Sequence, residues 1–266
     1  MRKVQSYEQT QGFVRQIREL RQGFVTNFYW DENKHPYWIA QGSLLFEQSD
    51  SCVLMLHRSE EFSNLYYIAT SFAAFGELMN NLQLDGTLVA DVVCKGEGAA
   101  ELEAFAFWDF KKYQHLYRMS HVGQIVGSDW IQDARVKHAQ ETDVPLVYNC
   151  LQRDFDPLAE QIPSKKELGD YVGRKQLLVM KDGDKLCGFL IFEITGVTWY
   201  LRYWYTSPDY RNKGVGACLL KTSLLYGAKT KRQILWVIAD NENAIKRYEH
   251  YGFKKENMND YVMVKR

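Results

Sequence analysis

The chain has 266 residues, 46% apolar and 25% charged, a composition typical of a globular protein with one large domain or two smaller ones. Its 33 basic and 33 acidic residues give a net charge of zero, so bulk charge favours neither nucleic acid nor an anionic membrane as a partner. Five scattered cysteines without a CxxC pair or a Cys/His cluster indicate buried thiols, and no metal site is expected. No signal-peptide pattern is visible and no apolar run approaches the ~20 residues of a membrane helix, so we expect a cytoplasmic protein.

The first half is predicted to alternate helices and strands. Phe13, Ile17, Leu20 and Phe24 have helical spacing and predict a helix over residues 12–30. Ser71 is a candidate N-cap for a second helix. In chain order, the remaining predictions are strands at 43–46, 52–57 and 65–69, a helix at 71–82, a strand at 87–94, a helix at 99–107 and a strand at 113–119. Residues 120–142 are mixed and fit either a linker or an edge strand.

The second half repeats this order. Helices are predicted at 143–155 and 164–172, strands at 176–181, 186–194 and 197–206, a helix at 215–228, a strand at 234–239, a helix at 243–251 and a strand at 261–265. The uninterrupted apolar run at 234–239 predicts a strand covered on both faces. Residues 70–71 and 109–112 match 206–207 and 252–255 faintly, which favours an internal duplication, although two α/β segments also match by chance.

A basic loop with two glycines, RNKGVG at residues 211–216, leads from a strand end into a helix. Gly214 and Gly216 permit close approach and unusual backbone angles, and Arg211 and Lys213 add positive charge. The start of the helix contributes free N–H groups and the positive end of its dipole. The loop therefore predicts a pyrophosphate site. The alternative is a solvated basic turn, and neither the P-loop nor the dinucleotide fingerprint is present.

A second group of residues follows at 241–253. Asn241 is a candidate cap for a short helix, on which Ala244 and Tyr248 share one face. Gly252 suits the left-handed turn that closes a helix, and Phe253 suits the core. Structure alone accounts for each of these residues except the choice of tyrosine at 248.

The two patterns together, R-x-x-G-x-G at 211–216 and N-x-x-A-x-x-x-Y-x-x-x-G-F at 241–253, resemble the GNAT superfamily of N-acyltransferases. The resemblance covers about residues 145–266 and includes the order of helices and strands. It implies an α/β fold with a mixed sheet that is splayed between the strands at 197–206 and 234–239, with pantetheine in the gap.

The resemblance also implies a role for individual residues. Asn241 would contact the CoA arm, and Tyr248 would protonate the leaving thiolate, a task suited to a phenol within hydrogen-bond reach. Two further groups would hold CoA: at the strand end, the backbone of Trp204, Tyr205 and Thr206, and around the pyrophosphate, Arg211, Asn212, Lys213, Gly214, Val215 and Gly216.

The general base is not evident from the sequence. Glu193 is one candidate, and a solvated carboxylate at a sheet edge is the alternative for the same residue. Period-two alternation places Tyr200, Arg202 and Trp204 on one face of their strand and Trp199, Leu201, Tyr203 and Tyr205 on the other. Arg202 is interpreted as a contact to a substrate carboxylate, a contact to CoA or the partner of an acid.

The first half lacks the residues that carry the resemblance. Its segment 70–76 has no cation and one glycine, Phe105 stands where Tyr248 would match, and Asp109 where Gly252 would match. We therefore expect two domains: residues 1–125, a degenerate GNAT-like repeat or another α/β domain without a CoA site, and residues 130–266, a GNAT acetyltransferase domain that binds one CoA per chain.

The function implied is transfer of an acetyl group from the cosubstrate acetyl-CoA to a primary amine by direct attack. The acceptor is a small molecule or a peptide, and the chain is a monomer or a homodimer. Two alternatives remain at this point. One is a non-catalytic acyl-CoA sensor. The other is an aminoacyl transferase of the FemABX type, against which the neutral charge counts because tRNA requires a basic surface.

Overall fold

The computed structural model describes residues 1–59, 61–82, 84–127 and 130–266. The chain divides into two compact units, the first made of Met1–His115 and Met258–Arg266, the second of Leu116–Asn257. The boundaries of these units differ from the predicted ranges 1–125 and 130–266 at the junction between the units and at the C-terminal end. The last strand of the chain contributes to the first unit, and residues 116–125 contribute to the second.

The first unit contains a mixed sheet with helices. Its elements are β1 (Arg2–Lys3), α1 (Tyr7–Glu19), β2 (Val25–Thr26), α2 (His35–Gln41), β3 (Leu44–Gln48), β4 (Cys52–Arg58), β5 (Phe62–Ala69), α3 (Phe72–Asn80), β6 (Thr87–Lys95), α4 (Ala99–Phe107) and the beginning of β7 (Lys111–Val122). Strands β1, β3, β4 and β5 are antiparallel neighbours in this order, whereas β5 and β6 pair in parallel.

The second unit has a similar plan. After the end of β7 come β8 (Val136–His138), α5 (Val144–Asp154), α6 (Pro157–Glu160), α7 (Lys165–Gly173), β9 (Leu177–Asp182), β10 (Lys185–Thr195), β11 (Thr198–Thr206), α8 (Val215–Tyr226), β12 (Arg232–Ile238), α9 (Glu242–His250) and the beginning of β13 (Lys254–Lys265). The sheet order is β7-β12-β11-β10-β9-β8, and β11 and β12 are its parallel pair. Strand β8 is the edge strand that was one of the two alternatives for residues 120–142.

Strand pairing explains the division into units. Strand β13 pairs with β6, with Val262 opposite Asp91, and therefore completes the sheet of the first unit. Strand β7 pairs with β12, with Met119 opposite Leu235, and therefore lies in the second unit. Each repeat of the element order thus places its last strand beside the next-to-last strand of the other repeat.

The first helix begins and ends earlier than residues 12–30, so that prediction is wrong. It begins at Tyr7 because Ser6 caps it, the Ser6 hydroxyl accepting the Gln9 N–H at 3.3 Å. It ends at Glu19, and positive φ values at Arg21 (55°) and Gly23 (114°) turn the chain away. Leu20 and Phe24 keep the apolar spacing of a helix, but they lie beyond Glu19, the last residue of the helix.

The core of the second unit lies on both faces of its sheet. Helices α5 and α7 pack on one face through Val147, Leu151 and Leu168, and α8 packs on the other through Leu219, Leu220 and Leu224. In β12, Leu235 and Val237 are buried, but Ile234, Trp236 and Ile238 are only partly buried. The prediction of complete cover on both faces is therefore wrong for this strand.

Across the described residues, the helices are too short or too polar to cross a bilayer.

Candidate functional site

A gap opens between the parallel strands β11 and β12. They pair from Thr198 opposite Arg232 to Leu201 opposite Leu235, and the pairing stops there. Beyond this point β12 continues to Ile238 along β7, and β11 continues to Thr206 along β10. The edge of β11 that faces β12 is therefore left open from Arg202 onward, as the predicted splay requires.

A β-bulge at Arg202 reorganises β11 at the same place. Ile191 lies opposite Tyr203, but the next residue, Phe192, lies opposite Leu201, so Arg202 is the extra residue. Trp199, Leu201 and Trp204 pack with the α8 cluster, whereas Tyr203 and Tyr205 pack with the α5–α7 cluster. The predicted alternation of faces along this strand is wrong because the bulge reverses it.

The loop after β11 leads into helix α8, and the backbone N–H groups at this junction are free among the described residues. Ser207 begins a single 3₁₀ turn, Pro208–Tyr210, and Asn212 and Gly214 adopt left-handed φ values of 61° and 78°. Helix α8 has Gly214 at its N-cap and no capping side chain. Among the described residues, the N–H groups of residues 212–217 have no hydrogen-bond acceptor. A helix start with this many free donors is suited to an anion.

The two glycines of the loop serve different purposes. A Cβ at Gly216 would lie 3.0 Å from Thr206 Oγ1 and 3.1 Å from Trp204 Cζ2, so glycine lets α8 lie close to the end of β11. A Cβ at Gly214 would meet no atom within 4 Å. Gly214 is therefore explained by its positive φ, which a side chain strains.

Helix α9 brings Asn241 and Tyr248 to the gap. Asn241 caps the helix, its side-chain oxygen accepting the Ala244 N–H at 3.1 Å. Tyr248 is buried, with its ring centroid 5.6 Å from that of Trp204 and 6.0 Å from that of Phe253. Its hydroxyl has no hydrogen-bond partner among the described residues. Burial raises the pKa of the Tyr248 phenol, so it stays protonated at neutral pH.

These elements enclose a cleft of about 1130 Å³ in the second unit. Of the predicted site residues, Trp204, Tyr205, Thr206, Arg211, Asn212, Gly214, Val215, Gly216, Asn241 and Tyr248 line it. Lys213 does not: its ammonium lies 5.1 Å from the centroid of the Tyr210 ring. The structure therefore brings the two sequence patterns together in one cavity.

Glu193 lies elsewhere. It is buried and does not line the cleft. The Tyr171 hydroxyl donates to its Oε1, and Arg202 Nε lies 3.5 Å from the same oxygen. Neither a general base nor a solvated edge carboxylate describes this position, since Glu193 neutralises the guanidinium that the bulge buries. Of the interpretations of Arg202, the pairing with an acid is the one observed.

The charged residues that line the cleft also suit a negatively charged ligand, such as the pyrophosphate predicted to bind the loop at 211–216. Its charged lining residues are Arg202, Arg211, Lys246 and Arg247, together with Asp154 and Glu160. The indole Nε1 of Trp204 is buried and has no hydrogen-bond partner in the part of the chain that the structure describes. Free N–H groups, an excess of cations over acids and an orphaned donor suit a phosphate-bearing ligand with amide groups. In the described part of the chain, no group of His, Cys, Asp and Glu side chains is arranged to hold a metal ion.

Residues 144–253 match the model of the acetyltransferase (GNAT) family. Over these residues the sequence is similar to the GNAT family. An uncharacterized N-acetyltransferase of Methanocaldococcus jannaschii is 38% identical over 66 residues, which span 23% of this chain and 29% of that protein. The chain is thus aligned with less than a third of the length of this relative.

Solved GNAT structures share the fold over most of the chain. An acetyltransferase from the GNAT family from Colwellia psychrerythraea has a TM-score of 0.56 and 14% identity, covering 99% of this chain and 98% of its own. A tandem GNAT protein from the clavulanic acid biosynthesis pathway has a TM-score of 0.57 and 11% identity, covering 84% and 83%. The whole chain therefore has a GNAT fold in tandem, with the recognisable sequence in its second half.

In the first unit, the corresponding gap is filled by the chain itself. Strands β5 and β6 pair in parallel only as far as Asn64 opposite Val89. Beyond this point β2 pairs with β5, and Asn27 bridges the two strands. Its side chain donates to the carbonyls of Leu65 (2.9 Å) and Asp91 (3.0 Å) and accepts the Tyr67 N–H at 2.7 Å.

The first unit also lacks an anion site at the matching helix. Ser71 caps helix α3, its hydroxyl accepting the Ala74 N–H at 3.2 Å, where the corresponding helix α8 has none. Phe105 is fully buried among aromatic rings. Asp109 has a φ of 64° and Gly252 a φ of 85°, so the chain makes the same turn after α4 and after α9. The matching positions thus have a similar backbone conformation, but their side chains differ in chemistry.

Arg247 and Glu160 are among the cleft residues that were not predicted from the sequence. Arg247 lies over Trp204, with its Cζ 5.6 Å from the ring centroid, beside the predicted Tyr248. Glu160 ends the single turn α6, too short for apolar periodicity to mark. The Asp156-Pro157 pair was the available signal, because Asp at an N-cap followed by Pro opens a helical turn.

Proposed function

We propose that the second unit transfers an acyl group, acetyl in the simplest case, from acyl-CoA to a primary amine. The observation that carries the proposal is the gap between β11 and β12, which leads from Tyr248 to the free N–H groups of residues 212–217. A thioester provides an activated acyl group for direct attack by an amine, without a covalent enzyme intermediate.

The residues of the loop and of α9 would bind the phosphates. The N–H groups of residues 212–217 and the start of α8 suit a pyrophosphate, and Arg211 adds a cation. Lys246 and Arg247 lie on the same cleft and suit a further phosphate. Lys213 contributes long-range charge only, because it lies outside the lining.

The open edge of β11 would orient the acyl arm. Backbone groups from Arg202 to Thr206 are available to hydrogen-bond amides, and an N–H at this edge would polarise the carbonyl under attack. Tyr248 would donate a proton to the leaving sulfur, a role supported by its protonated phenol and by a hydroxyl without a hydrogen-bond partner among the described residues.

Thermal unfolding and thiol release test this proposal together. Acetyl-CoA at a hundred times its Kd is expected to stabilise the protein by about 2.7 kcal/mol. A panel of primary amines, including an alkylamine, a diamine, an amino acid amide and a lysine peptide, is expected to release free CoA thiol with at least one member. Stabilisation without thiol release by any amine would favour the acyl-CoA sensor instead.

The FemABX-type alternative predicts a different ligand. The net charge of zero provides no basic surface for tRNA, whereas the free helix start provides a local anion site. Stabilisation by aminoacyl-tRNA in place of acetyl-CoA would favour that alternative.

A further inference from the structure

Glu160 is held at the cleft by contacts from two elements. In helix α6, Asp156 accepts the Leu158 N–H at 3.0 Å, and its own N–H donates to Glu160 Oε2 at 3.1 Å. The Tyr203 hydroxyl, from strand β11, donates to the carbonyl of Glu160 and to that of Gln161, the latter at 3.0 Å. The β11 strand that opens the gap therefore also fixes the position of Glu160.

One oxygen of the Glu160 carboxylate is unengaged. Oε1 has no hydrogen-bond partner among the described residues, and it is not fully enclosed. The other acid of the cleft, Asp154, is held by Arg153 at 2.7 Å. Since Glu193 is occupied by Arg202 and Tyr171, Glu160 is the cleft carboxylate with an oxygen left for a ligand.

We propose that Glu160 is the general base that deprotonates the acceptor amine, an inference that rests on the proposed acyl transfer. An ammonium N–H bond breaks and its proton passes to Oε1 and then to solvent. The amine lone pair forms the new C–N bond to the acyl carbon while the C–S bond breaks. Tyr248 gives its proton to the sulfur, and the second proton lost by the nitrogen restores the Tyr248 phenol.

The surroundings of Glu160 suit this task. Burial raises the pKa of its carboxyl to about 7, while the hydrogen bond from the Asp156 N–H opposes the shift and the nearby Asp156 charge adds to it. The titratable groups that interact with it from other elements are the phenols of Tyr203 and Tyr248, whose own pKa values burial raises. A base with a pKa close to neutrality is the efficient choice for proton transfer.

Glu160→Gln tests the assignment, with Glu193→Gln as the matched control. The wild-type kcat/KM for thiol release is expected to rise with pH through an inflection near 7. In Glu160→Gln it is expected to fall by about 10²–10⁴-fold at pH 7 and to lose that inflection, while stabilisation by acetyl-CoA is unchanged. Glu193→Gln is expected to lower the melting temperature, because it leaves Arg202 buried without its counter-charge, but to keep the inflection.

Infrared titration of the carboxyl bands gives a readout that needs no acceptor. A band that titrates near pH 7 is expected in wild type and Glu193→Gln, and is expected to be missing in Glu160→Gln. An unchanged rate profile or an unchanged band in Glu160→Gln would overturn the assignment and leave the acyltransferase proposal standing. A wild-type protein that releases no thiol with any amine would overturn both.

Discussion

Tyr248 owes its protonation state to where the fold places it. It lies against Trp204 and Phe253 and lines the cleft, and the described residues offer its hydroxyl no hydrogen-bond partner. Removal from water penalises the phenolate and keeps the proton on the oxygen. A phenol in this state can give a proton to a more basic leaving group.

Tyr248→Phe is expected to lower kcat by about 10²–10⁴-fold, because it removes the proton donor and little of the packing. Stabilisation by acetyl-CoA should change little. Tyr226→Phe is the control, since Tyr226 lies on α8 and does not line the cleft. Equal thiol-release rates in Tyr248→Phe and Tyr226→Phe would remove Tyr248 from the mechanism.

Gly214→Leu is expected to weaken acetyl-CoA binding by at least tenfold, because a side chain at a φ of 78° distorts the loop that carries the free N–H groups. Gly183→Leu is a matched control: Gly183 has a φ of 58°, and a Cβ there also meets no atom within 4 Å. Both variants should lose similar stability in urea. Calorimetric affinity for acetyl-CoA should fall only in Gly214→Leu, and an equal affinity in both would mean that the loop is not the phosphate site.

At the scale of elements, local signals predicted the helices and strands where each had a cap or a turn. Ser71 and Asn241 both cap as their residue types suggest, and Gly183 closes the predicted hairpin. The first helix was displaced because its apolar spacing persists beyond Glu19. Strand β2 has only two residues and no distinctive pattern, whereas helix α2 carried a signal that the prediction missed, Pro36 in its first turn and Gly42 as a left-handed C-cap.

The candidate site was predictable where its residues follow one another in the sequence. The loop at 211–216 and the pattern around Tyr248 are local, and the fold joins them. The bulge at Arg202 arises from the register between β11 and β10. It determines which side chains of β11 lie on each face and which residues of β11 lie near Glu193. Glu160 reaches the cleft through Tyr203, a contact over 43 residues of chain. Such features are set by strand pairing and not by local pattern.

Asn27→Ala tests the interpretation of the first unit as a closed gap. The variant loses three buried hydrogen bonds and leaves two carbonyls and one N–H of the strands unsatisfied, which is expected to cost about 2–4 kcal/mol. Urea unfolding measures the loss, and Asn80→Ala, at the exposed end of α3, is the control. A loss no larger than that of the control would mean that Asn27 does not hold β5 and β6 together.

For the whole molecule, the exchange of last strands links the two units in folding. The first unit lacks the strand that pairs with β6 until β13 has been made, and the second requires β7, which precedes it in the chain. A truncation before Lys254 is therefore expected to destabilise the first unit, although it removes residues from the C-terminal end of the chain.

The contribution of His35 and His57 to the free energy of unfolding is expected to fall as the pH drops from about 6.5 to about 4, whereas Glu160, whose pKa burial raises to about 7, contributes in the opposite direction. Burial lowers the pKa of both His35 and His57 to about 4, and Lys34 contributes to the lowering at each. Below pH ~6.5 the unfolded chain binds protons that the folded chain does not, so stability is lost in this window, by up to about 3 kcal/mol per histidine.

Urea unfolding at several pH values checks this dependence. His57→Phe keeps an aromatic ring against Trp38 and removes one titrating group, so its stability should depend less steeply on pH. His250→Gln, at an exposed position, should keep the wild-type slope. An equal dependence of stability on pH in wild type and in His57→Phe would contradict the burial of His57 as a neutral imidazole.

Titration calorimetry with acetyl-CoA tests the central claim most directly. The free helix start and the open strand edge in the second unit, and the gap filled by Asn27 in the first, predict one site per chain, abolished or weakened by Gly214→Leu and retained in Gly183→Leu. Two equivalent sites per chain, or no binding of acetyl-CoA and of longer acyl-CoAs, would contradict it.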